Sequence, residues 1–190
     1  MIHFVPPLEP DDFDEKVRKP GAAWLALHAK GRPKGFWGLC KAQLADGFRN
    51  LCGYSAMYEP VGTVDHYRSC DADRQQAYEW DNYRFASGWI NSSKRTADDT
   101  VLDPFHVEDG WFEILLPSLQ LVVTDAVPPD IKKLAEHTLT RLHLCDDERV
   151  IRQRREWYRM YQDGELTLEG LEKKAPLIAR AIRKQQATGD

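Results

Sequence analysis

Apolar positions recur along this chain with two periods, and the change between them divides it. From Phe36 to Asn50, Trp37, Cys40, Leu44 and Phe48 fall on one helical face, which predicts a helix with one side against a core. Upstream, Ala22 to Lys30 predicts a short helix stopped by Gly31 and Pro33, and residues 1–20, with Pro6, Pro7, Pro10 and Pro20, predict an extended arm. Tyr54–Tyr58 and Gly62–Tyr67 read as the first arm of a hairpin and its continuation, with Pro60 and Gly62 marking a turn. Arg68 to Tyr78 is polar and aperiodic, as a loop is. Asn82–Ala86 gives a second short strand, and Ser87 opens a helix that carries Asn91 and Lys94. Further on, Trp111–Leu116 and Leu119–Thr124 predict two strands about a Pro-Ser turn. After Pro128-Pro129 the pattern predicts helices over Asp130–Leu144, Asp146–Tyr161 and Thr167–Gln186. The expectation is an α+β protein: an arm over 1–20, a core over 21–127 and a helical region over 128–190 packed on it.

Composition narrows the class. The 190 residues are 42% hydrophobic and 11% aromatic, enough for a sizeable core. No run approaches the roughly eighteen apolar residues of a membrane span, and no charged segment leads into an apolar stretch at the N-terminus, so a cytoplasmic protein with no membrane partner is expected. Cys40, Cys52, Cys70 and Cys145 form no Cys-x-x-Cys pair and read as free thiols. The net charge of −4 hides a division: residues 16–49 carry eight Lys or Arg and one Asp, residues 50–148 eight basic and eighteen acidic residues, and residues 149–184 ten basic and five acidic ones. An acidic centre attracts a cation and basic flanks can hold a phosphate backbone, although Arg152, Arg155 and Arg159 also recur as on a solvated helix face.

Candidate chemistry sits where the strand, loop, strand, helix order falls. Asp65-His66 closes the first strand, Asn82 opens the second, and Asn91 and Lys94, three apart, share one face of the helix. Asp65 and Asn91 supply hard oxygen ligands suited to one Mg2+ or Mn2+. His66 supplies a base able to deprotonate water near neutral pH. Asn82 would fix the imidazole or the loop that carries it, and Lys94 would offset charge building at a phosphate. Arg68, Arg84 and Arg95, close to this set in sequence, are candidates for nucleic-acid contact. Adjacent strand residues face opposite ways, so Asp65 and His66 can serve one site only if the chain leaves regular β geometry at His66. His106, His137 and His143 lack matching ligand spacing, and the six tryptophans read mostly as core.

These residues resemble the HNH endonucleases, whose signature is a two-stranded hairpin and a helix around one metal. The spacing is similar to that in the HNH domain of RNA-guided CRISPR nucleases, where Asp-His is followed by Asn, nine residues on by Asn, and three on by Lys; Asn82, Asn91 and Lys94 keep those last two intervals. The wider phrasing, Asp-His-Tyr-Arg, Tyr78-Glu79-Trp80-Asp81-Asn82, Asn-x-x-Lys and Leu102-Asp103-Pro104, looks like the HNH proteins of Septu anti-phage systems and some retrons, over about Leu39 to Arg155. The resemblance implies a ββα-metal fold, a metal-dependent DNA endonuclease in bacterial defence, and a partner ATPase of the ABC type.

The chain departs from that pattern twice. Many HNH domains carry two Cys-x-x-Cys knuckles around a structural zinc. Here Cys52-Gly53-Tyr54-Ser55 keeps one cysteine, and Ser87 and Ile90 stand at the second pair, so no structural zinc is expected and the hairpin must be held by packing. Ser69 stands where relatives read Pro and then Lys, which removes a basic group near the site. A second class of function remains open, a catalytically silent module on the same scaffold that binds nucleic acid or a partner.

Overall fold

A computed structural model describes residues 1–189; Asp190, the last residue of the predicted helical region, lies outside them. The described residues form a mixed α+β fold with seven α-helices and two two-stranded antiparallel sheets. The elements are α1 (Lys19–Leu27), α2 (Lys41–Gly47), β1 (Thr63–His66), β2 (Tyr83–Ala86), α3 (Gly88–Lys94), β3 (Phe112–Leu115), β4 (Gln120–Val123), α4 (Pro129–Arg141), α5 (Glu148–Gln162), α6 (Leu168–Lys174) and α7 (Pro176–Thr188). No helix among these residues is long and apolar enough to cross a membrane, and all four cysteines are free thiols.

β1 and β2 pair with Thr63 opposite Ala86 and His66 opposite Tyr83. Their connection spans 67–82 and is stiffened by 3-10 turns at Arg74–Tyr78 and Trp80–Asn82. Gly62 lets the chain enter β1 tight against Phe85, because a Cβ there would lie 2.4 Å from the Phe85 ring. α2 buries Leu44 and Ala45 and packs on both strands; Phe48, just past its end, is buried as well. The helix expected over 36–50 is thus a 3-10 turn, Phe36–Cys40, followed by α2, with its apolar face as predicted. No strand forms over Tyr54–Tyr58; a single bridge, Leu51 to Tyr58, replaces it.

Two other expectations change. The N-terminal arm is shorter than 1–20, because a π-type turn, Asp14–Arg18, leads directly into α1. Its acids pair one helical turn ahead, Asp12 with Lys16, Asp14 with Arg18 and Glu15 with Lys19, which favours helix where the prolines suggested extension. The residues before it form a strap on the core: Met1, Ile2 and Phe4 are buried, and Trp80 Nε1 donates to the Pro7 carbonyl at 2.7 Å. The helix expected over 167–186 starts with its Thr167 cap, whose hydroxyl accepts from Gly170 N at 3.1 Å, but breaks at Ala175-Pro176 into α6 and α7. Proline offers no N–H and forces the preceding residue out of helical geometry; Ala175 sits at φ −150°, ψ 68°.

Arg84 is a correction. The sequence suggested a nucleic-acid contact, yet Arg84 is 4% exposed, its Nε donates to Asp103 Oδ1 at 2.7 Å and its Nη2 to Asp103 Oδ2 at 2.5 Å, and its guanidinium lies 3.7 Å from the centre of the Phe105 ring. This bidentate pair ties β2 to the Leu102-Asp103-Pro104 turn, and Nη1 donates to the carbonyls of Asp81 and Tyr83 at 2.7 and 2.9 Å, so four of the five guanidinium N–H groups are engaged inside the protein. Removing one partner of a buried pair strands the other charge. Arg84→Met should therefore cost about 3–5 kcal/mol of stability in urea unfolding; a loss below about 1 kcal/mol would show that the pair does not hold the fold.

Candidate metal and hydrolytic site

α3 determines the site through its first-to-last-turn face. Asn91 Nδ2 donates to Thr63 Oγ1 at 3.1 Å and to the Val64 carbonyl at 3.3 Å. One turn on, the fully buried Lys94 ammonium donates to Asp65 Oδ1 at 3.3 Å, the His66 carbonyl at 2.8 Å and the Tyr67 carbonyl at 2.9 Å. The helix is sewn to β1 along its length, and the predicted sharing of one helical face by Asn91 and Lys94 holds. His66 is still paired in β1, opposite Tyr83, so the chain leaves strand geometry just after His66 rather than at it, and the two carbonyls bound by Lys94 flank that point.

Asp65, His66 and Asn91 line one groove of about 910 Å³. Asp65 is 2% exposed and accepts from Tyr54 Oη at 2.6 Å on its second oxygen. Burial raises its pKa above the usual carboxylate value, and Lys94 and the Tyr54 hydrogen bond oppose that rise. The same burial, with the neighbouring Asp65 charge, pushes the Tyr54 hydroxyl well up. Asn91 Oδ1 accepts no hydrogen bond among the described residues; with its nitrogen fixed by the Val64 carbonyl, the oxygen is the free end of the amide.

His66 has a defined tautomer. Its Nε2 lies 2.9 Å from the Ala77 carbonyl, which can only accept, so Nε2 carries the proton and Nδ1 has the lone pair. Nδ1 has no hydrogen-bond partner among the described residues. Trp37 and Tyr83 stand edge-on to the ring at centroid distances of 4.6 and 5.2 Å. Burial lowers the imidazole pKa to about 4, with the charges of Lys94 and Arg32 acting the same way and the Ala77 hydrogen bond opposing. The ring is neutral at pH 7.

Asn82 acts at one remove. Its Oδ1 accepts from Arg68 N at 2.7 Å, and its Nδ2 donates to the carbonyls of Arg68 and Gln76, both at 2.9 Å. It binds the loop and not the imidazole: both ends of the connection are clamped, and the next residue, Ala77, presents the carbonyl that orients His66. Lys94 is likewise a positioning group. It was expected near a phosphate, but an ammonium has three protons and all three are engaged inside the protein. Of the basic candidates, Arg95 lines the groove and is exposed, Arg68 is exposed and has only its backbone tied to Asn82, and Arg84 is buried as described.

Among the described residues no three His, Cys, Asp or Glu side chains gather as a metal-holding cluster. A metal here would rest on one carboxylate, Asp65, and one amide oxygen, Asn91, with waters and phosphate oxygens completing the shell, as suits Mg2+. The knuckle positions are filled by protein: Ser87 N donates to Cys52 Sγ at 3.4 Å, and Cys52, Ser55, Ser87 and Ile90 are all buried. Sequence reasoning missed Lys30 and Arg32, which also line the groove; their signal was only the basic excess of residues 16–49. No protein-family model matches the chain, and no curated protein is similar to it.

The His66 environment has a direct spectroscopic consequence. Two-bond nitrogen–proton correlation spectra of the metal-free protein should show the neutral Nε2–H tautomer at pH 7, with titration near pH 4. An Nδ1–H tautomer, or a ring half protonated near pH 6.5, would contradict the geometry.

Proposed function

We propose that the chain is a metal-dependent HNH endonuclease with a ββα-metal core, which hydrolyses phosphodiester bonds in DNA using Mg2+ or Mn2+. The observation that carries this reading is the neutral His66 with an unpartnered Nδ1, in the same groove as the Asp65 carboxylate and the free Asn91 oxygen. His66 Nδ1 takes a proton from water, the water oxygen forms a bond to phosphorus, and the bond from phosphorus to the leaving sugar oxygen breaks. A bound divalent ion would offset the charge that develops on the phosphate and the leaving oxygen. Asn82 and Lys94 keep the base and the ligand in register without touching substrate. By the resemblance to Septu and retron HNH proteins, we assign the activity to bacterial anti-phage defence with an ABC-type ATPase as partner.

One observation favours the second reading, a catalytically silent module that binds nucleic acid or a partner. Both oxygens of Asp65 already have protein donors, from Tyr54 and Lys94, as a purely structural carboxylate would. Against it, a structural role leaves no reason for the oriented imidazole with its lone pair toward no protein group.

Plasmid nicking separates the two. Wild-type protein should cut in Mg2+ or Mn2+ and not in EDTA, and His66→Ala should lose about a hundred- to ten-thousand-fold in rate while retaining metal and DNA binding. His66→Ala that cuts at the wild-type rate, in a preparation free of contaminating nuclease, would transfer the chain to the silent-module reading.

A further inference from the structure

The segment between α1 and the Phe36–Cys40 turn has no regular structure, yet three side-chain hydrogen bonds hold its backbone carbonyls. Arg74 donates from Nη1 to the Gly31 carbonyl and from Nη2 to the His28 carbonyl at 2.8 Å, and Tyr78 Oη donates to the Lys34 carbonyl at 2.9 Å. The Arg74 guanidinium also lies over the Trp24 ring, 5.9 Å from its centre, and Trp24 stacks on His28 at 4.2 Å. The anchors come from the same 3-10 turn that holds His66 through Ala77, so this segment keeps a fixed place relative to the base. From it Lys30 and Arg32 project into the lining of the groove that holds Asp65, His66 and Asn91. Both are exposed, and neither forms an ion pair among the described residues, so both charges are available to a ligand in the groove.

Arg95 adds a third cation on α3's side. It closes α3 with φ 49° and ψ −116°, a left-handed conformation that costs a non-glycine residue about 1–3 kcal/mol, and its side chain is exposed in the groove lining. Such strain persists where the surroundings impose it and clusters at functional sites. Asp71 is the acid of the lining besides Asp65.

We propose that Lys30 and Arg32, with Arg95 on the α3 side, form a preformed phosphate-binding wall that lays the DNA backbone across the groove with a phosphodiester against His66 and Asp65. The proposal rests on the nuclease reading for the orientation of the strand. The wall itself requires only that the groove binds DNA.

The test is fluorescence anisotropy of a labelled DNA duplex with the full chain in EDTA, over a range of salt, for wild type, Lys30→Gln/Arg32→Gln, and the control Lys132→Gln/Lys133→Gln on α4. Two lost phosphate contacts should weaken binding on the order of 10- to 100-fold at about 0.1 M salt and lower the slope of log K against log salt by about 2. The control should bind within about threefold of wild type. A purely structural role for the pair would leave the salt slope unchanged. Should the double variant melt lower than wild type, Arg32→Gln alone carries the comparison, with a slope change of about 1. Unchanged affinity and slope in the double variant, an equal loss in the control, or a wild type that binds no duplex overturns the wall. Loss of binding in the double variant, with a wild type that fails to cut DNA in Mn2+, would retain the wall and discard the nuclease reading. Cutting by wild type with unaltered binding in the double variant would do the reverse.

Discussion

The buried ammonium of Lys94 is the interaction on which the rest of the site depends. A charge with no exposure to solvent is tolerated only when every proton has an acceptor, and here the acceptors are the Asp65 carboxylate and the carbonyls of His66 and Tyr67. Those carbonyls belong to the residues where β1 ends. Lys94 therefore stabilises the exit of the chain from β1, directly after the adjacent residues Asp65 and His66 that line one groove. It also fixes the last turn of α3, and with it Asn91 one turn earlier. A single cation thus couples Asp65, the end of β1 at His66, and α3, and it does so without facing the solvent.

The second constraint is orientation of the imidazole. His66 is held by one carbonyl that is shared with the Tyr83 hydroxyl, at 2.9 and 2.8 Å, and flanked by the Trp37 and Tyr83 rings at 4.6 and 5.2 Å. The Ala77 carbonyl keeps its place because Asn82 clamps Arg68 and Gln76. Burial that lowers the imidazole pKa keeps the ring neutral, the form able to accept a proton. Asn82 joins Arg68 to Gln76 and Ser69 Oγ donates to Asp98, so the 67–82 connection is held in place despite its lack of sheet or α-helix.

Much of this was legible in the sequence, for identifiable reasons. Asn91 and Lys94 lie three apart in a helix, and that spacing forces a shared face whatever the tertiary context. The turn residues Pro60 and Gly62 before the first strand, and Ser87 opening the helix after the second, located the paired strands to within one residue. Arg84 was misread because charge suggests solvent, and only the fold brings Asp103 and Phe105 around it. Pro176 was overlooked inside a strongly helical pattern, though a proline at that place breaks a helix. Lys30 and Arg32 carried no local signal: they reach the groove through anchors from Arg74 and Tyr78, more than forty residues away. The phosphate role expected of Lys94 gave way to an internal one, because nothing local in the sequence says that its three protons meet Asp65 and two carbonyls.

The central claim is that the Asp65 carboxylate and the Asn91 amide oxygen jointly hold one divalent ion beside a neutral His66. Crystals of the protein grown with Mn2+, with diffraction data collected at the manganese absorption edge, test it directly. The account predicts one anomalous peak about 2.1 Å from an Asp65 oxygen and from Asn91 Oδ1, absent in Asp65→Ala crystals under the same conditions. Manganese bound elsewhere, or Asp65 held by Tyr54 and Lys94 with no ion at saturating Mn2+, would contradict it.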